Sequence, residues 1–241
     1  MKETKGNRSH WERAQKFEPQ HWIKNKKAIC HPVYRDKIKL RAERLKNLLS
    51  KYVNCSSPNL RILEIGGGGT QLTDFFPTRF KYALDPLADM YCREFGEVLN
   101  RDVVWSKGKA ETLCFADQTF DLIVTRNVLD HVESLDLVLA EIHRVLKPQG
   151  RIYAAVNNFS GPLYWFRSLV KDKEHPYTFS HAALEKYLCN AGFKILEALR
   201  DAPDQMEHFG KMDSQSVLRK LIRGVFLQMG CYHFSEFIVS K

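Results

Sequence analysis

The sequence contains no apolar run approaching the roughly 18–20 residues that a membrane-crossing helix needs. Its opening, MKETKGNRSHWER, has none of the apolar stretch that a secretion leader carries. Six cysteines (Cys30, Cys55, Cys92, Cys114, Cys189 and Cys231) are scattered without a C-x-x-C spacing. That argues against a disulfide framework and against a zinc site, so no metal ligand set is expected and the thiols are expected to be free. There is no internal repeat, no low-complexity tract and no dense Lys/Arg block. With 44% apolar residues in 241, the expectation is a cytoplasmic globular protein: one large domain, or a core with a small appendage.

The charge that is present is unevenly placed. Residues 1–50 hold 14 Lys and Arg against 5 Asp and Glu, whereas the remaining 191 residues hold 23 of each sign. Trp11, Phe17, Trp22 and Tyr34 are interleaved with those cations. A basic, aromatic segment on a neutral body suits an anionic partner, whether an acidic small molecule, a membrane surface or nucleic acid. The alternative reading is an ordinary solvated helical face or a partly disordered tail.

Ser9-His10-Trp11-Glu12 fits a capping box and predicts a short helix ending near Pro19. From Asp36 to Tyr52, Ile38, Leu45, Leu48, Leu49 and Tyr52 recur at helical spacing, which predicts an amphipathic helix that Pro58 and its neighbours end. Residues 1–56 are therefore expected to form a basic helical extension, and 57–241 the main domain. In that domain seven short β-rich runs are expected as strands: Leu60–Ile65, Phe80–Leu84, Val103–Trp105, Phe120–Thr125, Arg151–Val156, Lys194–Leu199 and Tyr232–Val239. Helical patterns lie between several of them, clearest at Leu135–Leu146, with others at Ser180–Asn190 and 214–224. Such alternation implies an α/β fold, a doubly wound and mostly parallel seven-stranded sheet. An aromatic insertion at about 157–179 holds Phe159, Tyr164, Trp165 and Phe166, with Leu163, Phe166 and Val170 at the spacing of a lid helix.

The sharpest local signal is Leu63-Glu64-Ile65-Gly66-Gly67-Gly68-Gly69-Thr70, a glycine run directly after a strand and expected to open a helix. Glycines there let the chain bend tightly and let a ligand approach the backbone. Asp85, 21 positions after Glu64 and at the end of the next strand, can accept both hydroxyls of a ribose. A phosphate loop would need Gly-Lys-Ser/Thr, which Gly69-Thr70-Gln71 does not supply, and a dinucleotide fingerprint begun at Gly66 would need glycine at Gln71. An acidic residue before the glycines suits a ligand with a positive amine and no pyrophosphate.

Five blocks in order, LEIGGGGT, YALDP, GKAETLCFADQTFDLIVTRNVLDHV, EIHRVLKPQGRIY and HPYTFSHAALEKYLCNAGFKI, resemble the class I S-adenosylmethionine-dependent methyltransferases of the small-molecule type over roughly residues 60–200. The resemblance implies S-adenosyl-L-methionine as cofactor. It implies that Glu64, Gly66, Gly67 and Gly68 seat the methionine part and that Asp85, followed by Pro86, holds the ribose. Ala110 and Glu111 are implied along the adenine edge, Leu113 and Leu87 on its faces, and Thr125, Arg126 and Asn127 beside the sulfonium. Two positions depart from the family pattern. The usual third glycine falls at Thr70, and the aspartate often found at the adenine amino group falls at Lys109.

Methyl transfer from a sulfonium needs the acceptor held in line with the departing sulfur and water kept out. An oxygen or nitrogen acceptor also gains from a base, usually a histidine. His131, just past the fourth strand, and His175, in the acceptor-side insertion, are the two candidates; Tyr177 and His181 rank below them. The expected acceptor is a small molecule, of a kind that includes anionic and glycan- or lipid-linked compounds. Two other readings are an RNA-directed methyltransferase, which only the basic N-terminus supports, and a non-catalytic partner of the same fold. Thr125-Arg126-Asn127-Val128 lacks the Asn/Asp-Pro-Pro-Tyr/Phe and Pro-Cys patterns of many nucleic-acid enzymes.

Overall fold

The structure, a computed structural model, describes residues 5–159, 177–200 and 232–241. Two helices, α1 (Lys5–Ile29) and α2 (Pro32–Leu49), precede the sheet. The strands are β1 (Arg61–Ile65), β2 (Phe80–Asp85), β3 (Val103–Lys107), β4 (Phe120–Arg126), β5 (Leu146–Phe159), β6 (Lys194–Arg200) and β7 (Tyr232–Ser240). Between them lie α3 (Ala88–Phe95), α4 (Leu135–Val145) and α5 (His181–Asn190). The sheet order is β3-β2-β1-β4-β5-β7-β6, and β7 alone runs against its neighbours. This is the doubly wound, mostly parallel seven-stranded sheet that the strand pattern predicts. The order reverses between β1 and β4, and the crevice beyond their carboxyl ends is where such a sheet binds ligands.

Burial alternates along the strands and builds a core on each face. Leu63, Ile65, Ile123, Ile152 and Ala154 pack with Val138, Leu139, Ile142 and Leu184 of α4 and α5. Ile62, Leu122, Val124, Tyr153 and Ala155 face Ile38, Ala42, Leu45 and Leu49 of α2. Among the described residues no helix is long and apolar enough to cross a membrane.

Three expectations are corrected. The first helix does not stop near Pro19, which lies inside α1. A proline there removes one backbone hydrogen bond and costs about 3 kcal/mol. The inward face offsets this: Ala14 and Ile29 are buried, Trp22 packs edge-on against Tyr91 and Phe95, and Lys26 pairs with Glu94 at 3.3 Å. The second helix starts earlier than expected, at Pro32, because His31 caps it by accepting the Val33 N–H and proline tolerates the first turn. No α-helix opens after the glycines. Residues 66–79 hold a single 3-10 turn at Thr73–Phe75, and Leu72 and Phe76 pack into the cluster formed by α2. α2 thus covers the sheet face that a crossover helix would otherwise cover. The helical stretch 214–224 and the lid pattern at 163–170 lie outside the described residues.

Candidate cofactor site

The glycine run leaves β1 beneath the switch point. Gly66 (φ +69°) and Gly68 (φ +57°) adopt left-handed backbone that a side chain disfavours. A Cβ on Gly66 would stand 2.4 Å from Val128 Cγ2, and one on Gly68 2.4 Å from the Trp22 ring. The Gly66 N–H donates to the Leu84 carbonyl at 2.9 Å, tying the loop to β2.

Glu64 lies under this loop. Its two carboxylate oxygens accept the N–H groups of Leu72 (3.1 Å) and Thr73 (2.8 Å), so it folds the segment that follows the glycines. Burial pushes its pKa up to about 7 against the pull of those donors. Gln71 lies beside Gly67, fully buried, with neither end of its amide hydrogen-bonded within the protein.

Asp85 closes β2. One carboxylate oxygen accepts the Leu87 N–H at 2.8 Å, and Pro86 makes the turn between. Burial first, and then the negative charge of Glu18 on α1, raise its pKa to about 7. The Gly66–Leu84 bond thus seats the loop beside the strand that Asp85 ends.

The remaining candidates divide. Ala110 and Leu113 are buried after β3, and the Leu113 N–H donates to Glu141 at 2.8 Å. Glu111 accepts the Glu133 (2.7 Å) and Ser134 (3.3 Å) N–H groups and so satisfies the entry to α4. Lys109, in place of the family's aspartate, pairs with Glu133 at 2.6 Å. At the end of β4, Asn127 takes φ +54° and its N–H donates to the Ala155 carbonyl. Buried Oδ1 of Asn127 and Oγ1 of Thr125 have no partner within the protein. Arg126 stacks over Phe234 of β7 at 5.5 Å.

His131 is half-buried, its Nε2 3.8 Å from Asp130. His175 lies outside the described residues. Tyr177 braces α4, its hydroxyl accepting the Leu135 N–H at 3.1 Å. His181 is buried against Phe237, with Nδ1 2.6 Å from the Ser235 hydroxyl, which Asn158 also contacts. That is a structural network.

Sequence reasoning missed Glu18, Trp22, Gln71 and Arg144. Trp11, Glu18, Trp22 and Ile29 share one helical face, a signal visible only if the helix continues through Pro19.

The chain was compared with known proteins. Residues 63–154 match the family described as Methyltransferase domain. The ubiquinone/menaquinone biosynthesis C-methyltransferase UbiE of Rubrivivax gelatinosus is 28% identical over 166 residues, 64% of this chain and 62% of that protein. The Marinomonas sp. protein of the same name is 34% identical over 150 residues, 61% and 55% of the two chains. The match thus spans less than two thirds of those relatives' own length. Among solved structures, geranyl diphosphate C-methyltransferase from Streptomyces coelicolor, in complex with Mg2+, geranyl diphosphate and S-adenosyl-L-homocysteine, superimposes with TM-score 0.64 at 14% identity. That superposition covers 87% of this chain and 84% of that one.

Proposed function

We propose that this chain is a class I S-adenosylmethionine-dependent methyltransferase that moves a methyl group from S-adenosylmethionine to a small, electron-rich acceptor. The observation that carries the reading is the arrangement of Gly66, Gly68 and Asp85: a glycine loop in left-handed backbone, tied through Gly66 to the strand that Asp85 ends. The residues fit the cofactor. Gly66 and Gly68 take left-handed backbone packed so closely under Val128 and Trp22 that no side chain fits, Asp85 suits a pair of hydroxyls, and the buried polar ends of Gln71, Thr125 and Asn127 suit a polar amino-acid tail. When bound, the cofactor supplies an electrophilic methyl on a sulfonium. We take residues 1–56 as the cap and 57–241 as the cofactor-binding domain.

The chain's own residues then have distinct tasks. Glu64 shapes the loop by gathering the Leu72 and Thr73 N–H groups, without reaching toward a ligand itself. Val128, packed on Gly66, and the turn at Asn127 wall off the loop on the β4 side. His131, beyond β4 on the ligand side of the sheet, is our candidate to receive a proton from the acceptor, with Asp130 at 3.8 Å to steady the imidazolium.

For the acceptor we infer a ring carbon of a quinol-type compound. The support is that both curated relatives carry names that specify carbon methylation in quinone biosynthesis. This replaces the oxygen or nitrogen acceptor expected from the sequence as our preferred reading. The excess positive charge of residues 1–50 suits an anionic, phenolate-like form.

The test is to incubate the purified chain with methyl-labelled S-adenosylmethionine and reduced benzoquinol or naphthoquinol acceptors, and to follow a gain of one methylene mass. A product whose new methyl is bonded to ring carbon supports the reading. Label found only on oxygen, or only in added RNA, replaces the acceptor class while keeping the enzyme.

A further inference from the structure

One carboxylate at the site comes from outside the sheet. Glu18 of α1 accepts the Trp22 indole N–H at 2.9 Å. Trp22 is itself seated, edge-on against Tyr91 (5.3 Å between centroids) and Phe95 (6.0 Å) and in close contact with Gly68 and Gly69. The Gly66 N–H of the same loop donates to the carbonyl of Leu84, the neighbour of Asp85. Contacts run from Glu18 through Trp22 to Gly68, and the loop is tied through Gly66 to the end of β2, so the α1 carboxylate is carried to the loop beside the strand carboxylate. Lys109 is engaged elsewhere: it lies 3.7 Å from the centroid of Trp11 and pairs with Glu133 at 2.6 Å.

We propose that Glu18 is a specificity-determining residue of the cofactor site, one that favours the cationic cofactor over its neutral product. The inference rests on the S-adenosylmethionine reading above. In the transfer, the acceptor's electron pair forms the new bond to the methyl carbon, and the carbon–sulfur electron pair returns to sulfur. The sulfonium thereby becomes a neutral thioether. The ligand's net charge falls from one positive to zero, while the protein part of the site keeps its carboxylates. Two like charges held close in a partly dry setting repel, and a cation between or beside them relieves that repulsion where a neutral ligand does not. Asp85 alone would bind the hydroxyls common to both forms and discriminate weakly. Glu18, whose partner is a neutral indole, adds a charge whose effect differs between them. Its position on α1 couples that preference to the basic helical segment.

Calorimetric titration of the full chain with S-adenosylmethionine and, separately, S-adenosylhomocysteine tests this without any turnover. Glu18→Gln keeps an acceptor for the indole N–H and removes the charge. It is expected to weaken S-adenosylmethionine binding about five- to tenfold and S-adenosylhomocysteine binding less than about twofold. Glu18→Asp, which restores the charge, should recover most of the preference. If wild type binds both ligands and Glu18→Gln shifts them equally or not at all, Glu18 is only the anchor of Trp22 and the inference is overturned alone. A wild-type chain that binds neither ligand overturns the proposed function, and this inference with it.

Discussion

Arg44 of α2 and Glu236 of β7, 192 positions apart, form a two-pronged ion pair with N···O distances of 2.7 and 2.5 Å. The Glu236 side chain is 1% exposed, and the Tyr153 hydroxyl donates to the same carboxylate. α2 is thus riveted to the strand that runs against the rest of the sheet. Removing one partner of a buried pair leaves the other charge stranded, at a cost of about 3–5 kcal/mol. Arg44→Met is therefore expected to lose at least about 3 kcal/mol in urea unfolding. The double change Arg44→Met with Glu236→Leu should lose less than the two single changes together. Additive losses would show that the pair is not coupled.

The loop offers a steric test. Gly66→Ala meets two penalties: left-handed backbone, about 1–2 kcal/mol, and a contact of 2.4 Å with Val128. Val128→Ala removes only the second. The double variant should therefore recover part of the stability lost in Gly66→Ala, while keeping a deficit set by φ. Thermal unfolding of the three variants separates the terms, and full recovery would mean that φ at residue 66 contributes nothing.

Much of this site was legible because its signals are local. The Gly66–Gly69 run after an apolar strand and Asp85 ending the next strand fix the crevice without knowledge of the packing. The strands read correctly for the same reason, since each is a short apolar run bounded by turns. What failed depends on contacts between distant residues. Pro19 reads as a helix end, yet Trp22 and Ile29 bury against Tyr91 and Phe95 and carry the helix through it. The run after Gly69 reads as a helix start, yet Glu64 gathers the Leu72 and Thr73 N–H groups into a tight turn instead. The bond that Glu111 makes to the Glu133 N–H at the entry of α4 is likewise legible only in the fold, since it joins residues 22 positions apart. The contact of the Tyr177 hydroxyl with the Leu135 N–H, across 42 positions, is of the same kind.

Glu64 and Asp85 give the protein a distinctive pH response. Both carboxyls have pKa values raised to about 7, chiefly by burial. A carboxyl raised in the folded state binds more protons there than when unfolded. Its contribution to stability is complete below the unfolded pKa near 4 and is lost as pH rises through about 7. Glu94 and Glu141, whose pKa values arginine and lysine partners lower, act in the opposite sense at lower pH, so the comparison is best made against a variant. Asp85→Asn should gain stability relative to wild type as pH rises from 5 to 8. Urea unfolding at the two values decides it, and a difference that stays constant with pH would show that Asp85 is not raised.

Arg144 of α4 gathers the segment that carries Leu113 toward the site. Its guanidinium donates to the carbonyls of Leu113 (2.9 Å) and Phe115 (2.8 Å), to Asp117 (2.7 Å) and twice to Glu141. Glu141 in turn accepts the Leu113 N–H, so one arginine and one glutamate close residues 113–117 into a single polar clasp on α4. A lysine has one point of charge where this site uses a planar fork. Arg144→Lys is expected to cost about 1–3 kcal/mol and to speed amide hydrogen exchange across 113–117. Arg93→Lys, at an exposed ion pair, should do neither, because such pairs contribute little. Because the clasp positions Leu113, Arg144→Lys should also weaken S-adenosylmethionine binding. Exchange in 113–117 that matches wild type would show that the segment is held by its apolar contacts alone.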